Sequence, residues 1–183
     1  MNEITLHTVS KGTPSRREVE TFIHTVFKAS YGANVTEFMP TLVALRDENG
    51  ELIAAFGMRS ADKEKLFLEQ YLDMPIEQLL TEKLGKPITR NKITCIGNLA
   101  VSNPRNAGVL ITHIIQHNLE IGVEWCVATV HSRLKNSLIK GGRDVYPLCL
   151  ADKASLSPEE QLVWGSYYDD MPQVIAIKGV ADD

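Results

Sequence analysis

The pattern of apolar and polar positions changes period several times along the chain. ITLHTV (residues 4–9) alternates and predicts a strand. GTPSRREVETFIHTVFKASYG (12–32) switches to helical spacing, with Val19, Phe22, Ile23, Val26 and Phe27 on one stripe. Thr13 can cap that helix, Pro14 suits its first turn and Gly32 can end it. TLVALRDENGELIAAFGMRS (41–60) reads as a hairpin turning at Asn49-Gly50. KLFLEQYL (65–72) reads as another strand, sending Phe67, Glu69 and Tyr71 to one face and Leu66, Leu68 and Gln70 to the other. MPIEQLLTEKLGKP (74–87) is a short helix. KITCIGNLAV (92–101) is a strand, 106–122 a helix, EWCVATVH (124–131) a buried strand and RLKNSLIKGG (133–142) a helix. DVYPLCLA (144–151) is a strand or extended piece. LSPEEQLVWGSYYDD (156–170) is a short helix followed by a loop, and QVIAIKG (173–179) is the last strand.

This order predicts an α/β chain (α+β mixed sheet), with one central mixed sheet flanked by helices. Residues 92–131 suit a parallel strand–helix–strand crossover. Gly97 and Asn98 are poor strand formers in mid-strand. They predict a bulge, which can splay neighbouring strands and open a cleft.

Composition narrows the classes. The 183 residues are 44% hydrophobic, enough for one well-packed domain over 1–183. The net charge is −4, so no basic field invites nucleic acid. The three cysteines, Cys95, Cys126 and Cys149, lie in apolar runs without CxxC pairs, as expected of reduced thiols in a cytoplasmic protein. MNEITLHTVSKG does not resemble a signal peptide, and no apolar run approaches the ~18 residues of a membrane span. His113 and His117 share a helix face at zinc-compatible spacing. With Ile114 between them and no third ligand signalled, a solvated or half-buried face is expected and no metal site.

The stretch NPRNAGVL joins a strand to a helix start. Free amides and the helix dipole at such a start hold phosphate, although an ordinary connection has the same look. Glu69, flanked by apolar residues, reads as a proton-accepting base, an amine ligand or a solvent-facing strand charge. Glu37 and Arg59 are polar points in apolar settings. Arg59 suits a carboxylate or phosphate, or an ion pair with Glu37 or Glu69. Tyr167 and Tyr168 follow Trp164, either as a possible general acid or as packing. Arg133, Lys135, Lys140 and Arg143 form a modest basic cluster, a solvated face or a landing place for an acidic carrier protein.

A strand with a bulge, NPRNAG, helix, strand and helix is the core order of the GNAT-like acyl-CoA N-acyltransferases, which the chain resembles. RNAGVL is similar to their pyrophosphate loop through Arg105 and Gly108, with Leu110 in place of the last glycine or alanine. Over most of its length, in YGANVTEFMPTLVAL, AAFGMRSA, LFLEQYLDMPIEQLL, GNLAV and WGSYYDDMPQV, the chain resembles the bacterial thermostable hemolysin family. GMRSA, LFLEQYL and GNLAV also resemble acyl-homoserine-lactone synthases. The resemblance implies transfer of an acyl group from acyl-CoA or acyl carrier protein, as co-substrate, to an amine acceptor, giving a lipid-like product. A directly membrane-active hemolysin is the alternative.

On that likeness, backbone amides from Asn98 through Leu99 to Val101 polarise the thioester carbonyl or pair with the pantetheine arm. The amides of Arg105, Asn106, Ala107, Gly108, Val109 and Leu110 face the pyrophosphate. Asn98 can instead simply stabilise the bulge. Glu37, Arg59 and Tyr167 are candidate substrate contacts. The resembled pattern commonly carries an acid where this chain has Cys95, which is either a nucleophile or a small core residue. The tyrosine usual on the later helix is missing from NSLIKGG (136–142).

Overall fold

A computed structural model describes residues 3–179. Seven strands form one sheet in the order β1-β2-β3-β4-β5-β7-β6. They are β1 (Thr5–Ser10), β2 (Thr41–Arg46), β3 (Leu52–Ser60), β4 (Ile93–Val101), β5 (Trp125–Val130), β6 (Val145–Leu150) and β7 (Gln173–Lys178). Every neighbouring pair is antiparallel except β4 and β5, which run parallel. The predicted crossover is therefore present, with α3 (Ala107–Glu120) joining the two parallel strands. Pro147 is accommodated because β6 lies at the sheet edge, where a missing N–H costs no internal ladder bond.

Helices cover both faces. On one face, α1 (Arg16–Tyr31) packs Val19, Ile23 and Phe27 against Val9, Leu42, Ala44, Ala55 and Ala100. Beside it, α2 (Ile76–Leu84) packs Ile76 and Leu80 against Ile93, Cys95, Trp125 and Val127. On the other face lie α3 and α4 (Ser132–Lys140), over Phe56, Ile96, Cys126, Ala128 and Val130. The short α5 (Pro158–Val163) starts at Ser157, whose hydroxyl accepts from the Glu160 N–H, and leads to a 3-10 turn, Tyr167–Asp170.

Several elements depart from the pattern. Residues 65–72 do not form a strand; Phe67–Tyr71 is a 3-10 helix, and Leu68 and Glu69 are both buried. The alternation of LFLEQYL gives way to a tight turn because Glu69 caps it. Its carboxylate accepts from the N–H of Leu66, at the start of this turn, and of Ile76, at the start of α2. The first long helix begins at Arg16 rather than at Thr13, whose carbonyl accepts the Arg16 N–H instead. Arg16 is itself buried and donates to the carbonyls of Val9, Met39 and Pro40. It thereby fastens the extended segment 33–40 to the sheet. His117 lies deeper than the expected solvated or half-buried helix face; it is buried edge-on against Phe56.

Candidate functional site

The centre of the site is a fault in the sheet. Between β3 and β4 the register passes from Ala55↔Ala100 to Gly57↔Gly97, so β4 carries one extra residue. Asn98 takes up that extra residue with a left-handed backbone, φ 50°, a conformation asparagine tolerates better than most residues. Its side-chain oxygen accepts the Met39 N–H at 2.9 Å. Met39 lies directly over the two paired glycines. A Cβ on Gly57 would come within 2.8 Å of Met39 Cβ, and one on Gly97 within 2.6 Å of Met39 Cε. Gly57 therefore needs glycine for close approach, whereas at Gly97 the flexible end of Met39 can shift aside. Asn98 stabilises the bulge, and the bulge holds the 33–40 segment in place.

The bulge has the predicted consequence. β4 and β5 pair only from Ile93↔Trp125 to Ile96↔Ala128, although both strands continue. Past Ile96, β4 stays paired with β3, and past Ala128, β5 stays paired with β7. Their facing inner edges part, leaving a wedge-shaped opening inside the sheet.

An apolar pocket, open to solvent, lies at this wedge on the α3/α4 face. Ile96 and Leu99 of β4, Ala128 and Val130 of β5, Ile111, Ile114 and Ile115 of α3, and Leu134 and Leu138 of α4 line it. Asn118 of α3 reaches the same pocket, and its side-chain oxygen is buried without a hydrogen-bond partner among the described residues.

The start of α3 stands at the exit of β4. A 3-10 turn, Pro104–Asn106, precedes it and uses up several amides. Arg105 N–H donates to Asn103 Oδ1, Asn106 N–H to Asn103 O and Ala107 N–H to Pro104 O. A phosphate must compete for those three, and meets the helix's own first-turn amides from Gly108 onward. The Leu110 side chain is buried in the core, so only its backbone could face a ligand. Gly108 is exposed, and a Cβ there meets nothing within 4 Å.

The opposite mouth of the wedge is aromatic. His131, which follows β5 and stands at the N-cap position of α4 without a capping bond from its side chain, stacks on Tyr31 (ring centroids 5.7 Å apart) and meets Tyr167 edge-on at 4.9 Å. Trp164 and Phe27 close the cluster around Tyr167. The Tyr167 hydroxyl donates to the Thr129 carbonyl at 3.4 Å, and burial pushes its pKa far above the phenol range. It is therefore a poor proton donor as it stands. Both ring nitrogens of His131 are buried without a hydrogen-bond partner among the described residues. Sequence reasoning passed over His131 because it ends an apolar strand with no polar companions nearby in the chain.

The remaining candidates lie elsewhere. Glu69 is not poised as a base. Burial alone would raise its pKa, but Arg90 and the N–H groups of Leu66 and Ile76 outweigh that and hold it below the usual carboxylate value. Arg90 grips it with two bonds, 2.8 and 3.0 Å, and also binds Glu77 at 2.7 Å. Glu69 is thus a structural tie. Cys95 is a core residue on the α2 side of β4, and burial pushes its thiol up to about 12, the reverse of an activated nucleophile. Arg59 pairs with Glu64 at 3.0 Å, not with Glu37 or Glu69, and Glu37 is exposed. Among the described residues, no three metal-type ligands come together, and no helix is long and apolar enough to cross a membrane.

A mixed sheet with one parallel pair, splayed at a bulge and crossed by a helix at the splay, is the GNAT-like acyltransferase fold. Residues 9–181 match the thermostable hemolysin family, and the chain belongs to it. Among solved structures the chain is similar to FeeM, an N-acyl amino acid synthase from uncultured soil microbes. That match has 14% identity and a TM-score of 0.62, covering 98% of this chain and 92% of that one. It is also similar to the acyl-homoserine-lactone synthase LasI, at 10% identity and a TM-score of 0.61, covering 99% of this chain and 91% of that one. A third similar structure is BjaI, a CoA-dependent acyl-homoserine lactone synthase with SAM and isopentyl-CoA, at 12% identity and a TM-score of 0.62. It covers 97% of this chain and 84% of that one. No curated protein matches the sequence.

Proposed function

We propose that this protein is an N-acyltransferase that moves an acyl group from acyl-CoA or acyl carrier protein to an amine. The observation that carries this reading is the wedge between β4 and β5 with an apolar pocket at its mouth. An inner strand edge with no partner suits a ligand that carries amides of its own, and the pantetheine arm does. In this reading the arm runs along β4 from Asn98 to Val101. Phosphates lie near Arg105 and the α3 start, and the acyl chain lies among Leu99, Ile111, Ile114 and Leu134. The reaction forms a C–N bond and breaks the thioester C–S bond. Negative charge grows on the carbonyl oxygen on the way, and a fixed backbone N–H aimed at that oxygen lowers the barrier. The similar FeeM and BjaI structures, described as synthases of acylated products, support the same class.

The test is calorimetric titration with CoA, a long-chain acyl-CoA and an acylated carrier protein, followed by release of free thiol in the presence of an amine panel. Tighter binding of an acylated donor than of CoA, with amine-dependent thiol release, is expected. Absence of binding by all three donors would overturn the proposal.

A further inference from the structure

The donor side of this reading leaves the amine's proton without an acceptor, since Glu69 and Cys95 are both committed to structure. The other mouth of the wedge carries a titratable side chain that the donor side leaves unused, His131. Alternation along β5 sends Cys126, Ala128 and Val130 toward α3 and α4, and Trp125 and Val127 to the opposite face. His131 continues the second series and packs on Tyr31 of α1 and Tyr167. It stands three residues past Ala128, where β5 has already left β4, or roughly 10 Å further along the strand. The apolar pocket and the imidazole thus flank one gap in the sheet from opposite faces. In the acyltransferase reading, a thioester seated in the gap from the α3 side would present its carbonyl toward the imidazole side.

We propose that His131 holds the acceptor amine and takes up its proton, in a seat walled by Tyr31 and Tyr167. This inference rests on the acyltransferase reading above. Two observations point to it. Buried polar atoms are nearly always paired, yet neither His131 nitrogen has a partner among the described residues. An amine supplies that missing partner, in its neutral form. The charge felt by both His131 and Tyr31 is the Asp170 carboxylate, so the seat disfavours a second carboxylate. The acceptor class is accordingly an amine on an apolar or aromatic body. The two tyrosine rings cover the imidazole, so amine binding includes a ring movement.

The proton balance is simple. As the amine nitrogen bonds to the thioester carbon, it gives one proton to the imidazole. The C–S bond breaks, and the imidazolium returns that proton to the departing thiolate. His131 must begin neutral for this. Burial lowers its pKa below the usual imidazole value, and the partial opposition of Asp170 does not reverse that. The titratable groups that face it are Tyr31 on α1 and Tyr167 and Asp170 on the 167–170 turn. Both tyrosines stay neutral at ordinary pH, because burial raises them.

Two measurements test this, with 2-phenylethylamine as the probe. In the wild-type protein, NMR signals of the His131 ring, assigned through contacts to the Tyr31 and Tyr167 rings, should move on adding the amine. They should move less with phenylalanine, which adds a carboxylate. In transfer assays, His131→Asn should lower kcat by ~10²–10⁴-fold and abolish the acid limb of the pH profile, while acyl-CoA affinity stays unchanged. Ring signals indifferent to the amine, or a variant with the wild-type rate and pH profile, would overturn the assignment. Failure of the acyltransferase reading has a different signature: no donor binding and no thiol release by the wild type, with the His131 signals still answering the amine.

Discussion

Gly108 offers the sharpest test of the donor side, because its two possible roles have opposite signs. It is the second residue of α3, exposed, and an added Cβ meets no atom within 4 Å. Nothing in the protein itself therefore needs glycine there. Gly108→Ala should stabilise the protein by ~0.5–1 kcal/mol, since glycine loses more backbone freedom in a helix than alanine does. For a chain of this length that raises Tm by about 1–4 °C. Gly108→Leu retains most of that gain but puts a branched chain over the first-turn amides. A hydrogen bond to a charged phosphate contributes ~1.5–3 kcal/mol, so blocking one should weaken CoA binding by roughly 10–150-fold. Pantetheine, which lacks the diphosphate, should bind both proteins alike. Scanning fluorimetry reports the stability and calorimetry the affinities. CoA affinity unchanged in Gly108→Leu would refute a phosphate site at this helix start. A large drop in Tm would refute the claim that the position is structurally free.

Other expectations follow from the same geometry. Glu69→Gln should cost ~1–3 kcal/mol of stability by denaturant unfolding, because it weakens the charge-assisted bonds to Arg90, which keeps Glu77 as its remaining carboxylate partner. Glu69 has a depressed pKa, so its contribution is present above the unfolded carboxylate value and is lost as pH falls through the folded one; wild type and variant should therefore converge in acid. Asn98→Ala loses the bond to Met39 and puts alanine at φ 50°, which should destabilise by ~2–3 kcal/mol; Asn98→Gly keeps the backbone at ease and should cost only ~1 kcal/mol. Purified protein without an acyl donor should release no dye from lipid vesicles at low protein concentration; prompt leakage would instead favour direct membrane action.

How much of this was readable in the sequence depends on the range of the signal. The hairpin at Asn49-Gly50, the β4–α3–β5 crossover and the bulge at Gly97-Asn98 are local, and each was legible from period or composition. LFLEQYL was not, because a short apolar run alternates equally well in a strand and in a 3-10 turn. The deciding bonds run from Glu69 to Leu66, Ile76 and the distant Arg90. Arg16 looks like any exposed helix-start charge until segment 33–40 supplies carbonyls for it. His131 was invisible for the same reason. Its neighbours Tyr31 and Tyr167 come from either end of the chain, and its distinguishing feature is a missing bond, which no residue pattern encodes.

The wedge itself argues that something fills it. Two strands that run side by side for four residue pairs and then part give up ladder hydrogen bonds on both inner edges. Each such bond contributes ~0.5–1.5 kcal/mol net, and a buried group left unpaired costs more. A sheet that closed over this gap would be more stable by that reckoning. Yet the chain holds the gap open with Asn98 at a left-handed φ, a Gly57 too close to Met39 Cβ to carry a side chain, and a buried arginine fastening the segment above it. The left-handed backbone of Asn98 costs stability locally, and the proposed reading accounts for it by a ligand that completes the two edges. In the proposed reading, the apolar pocket on one face and the unpartnered imidazole on the other give that ligand a direction, with the acyl donor entering over α3 and the amine arriving beside His131.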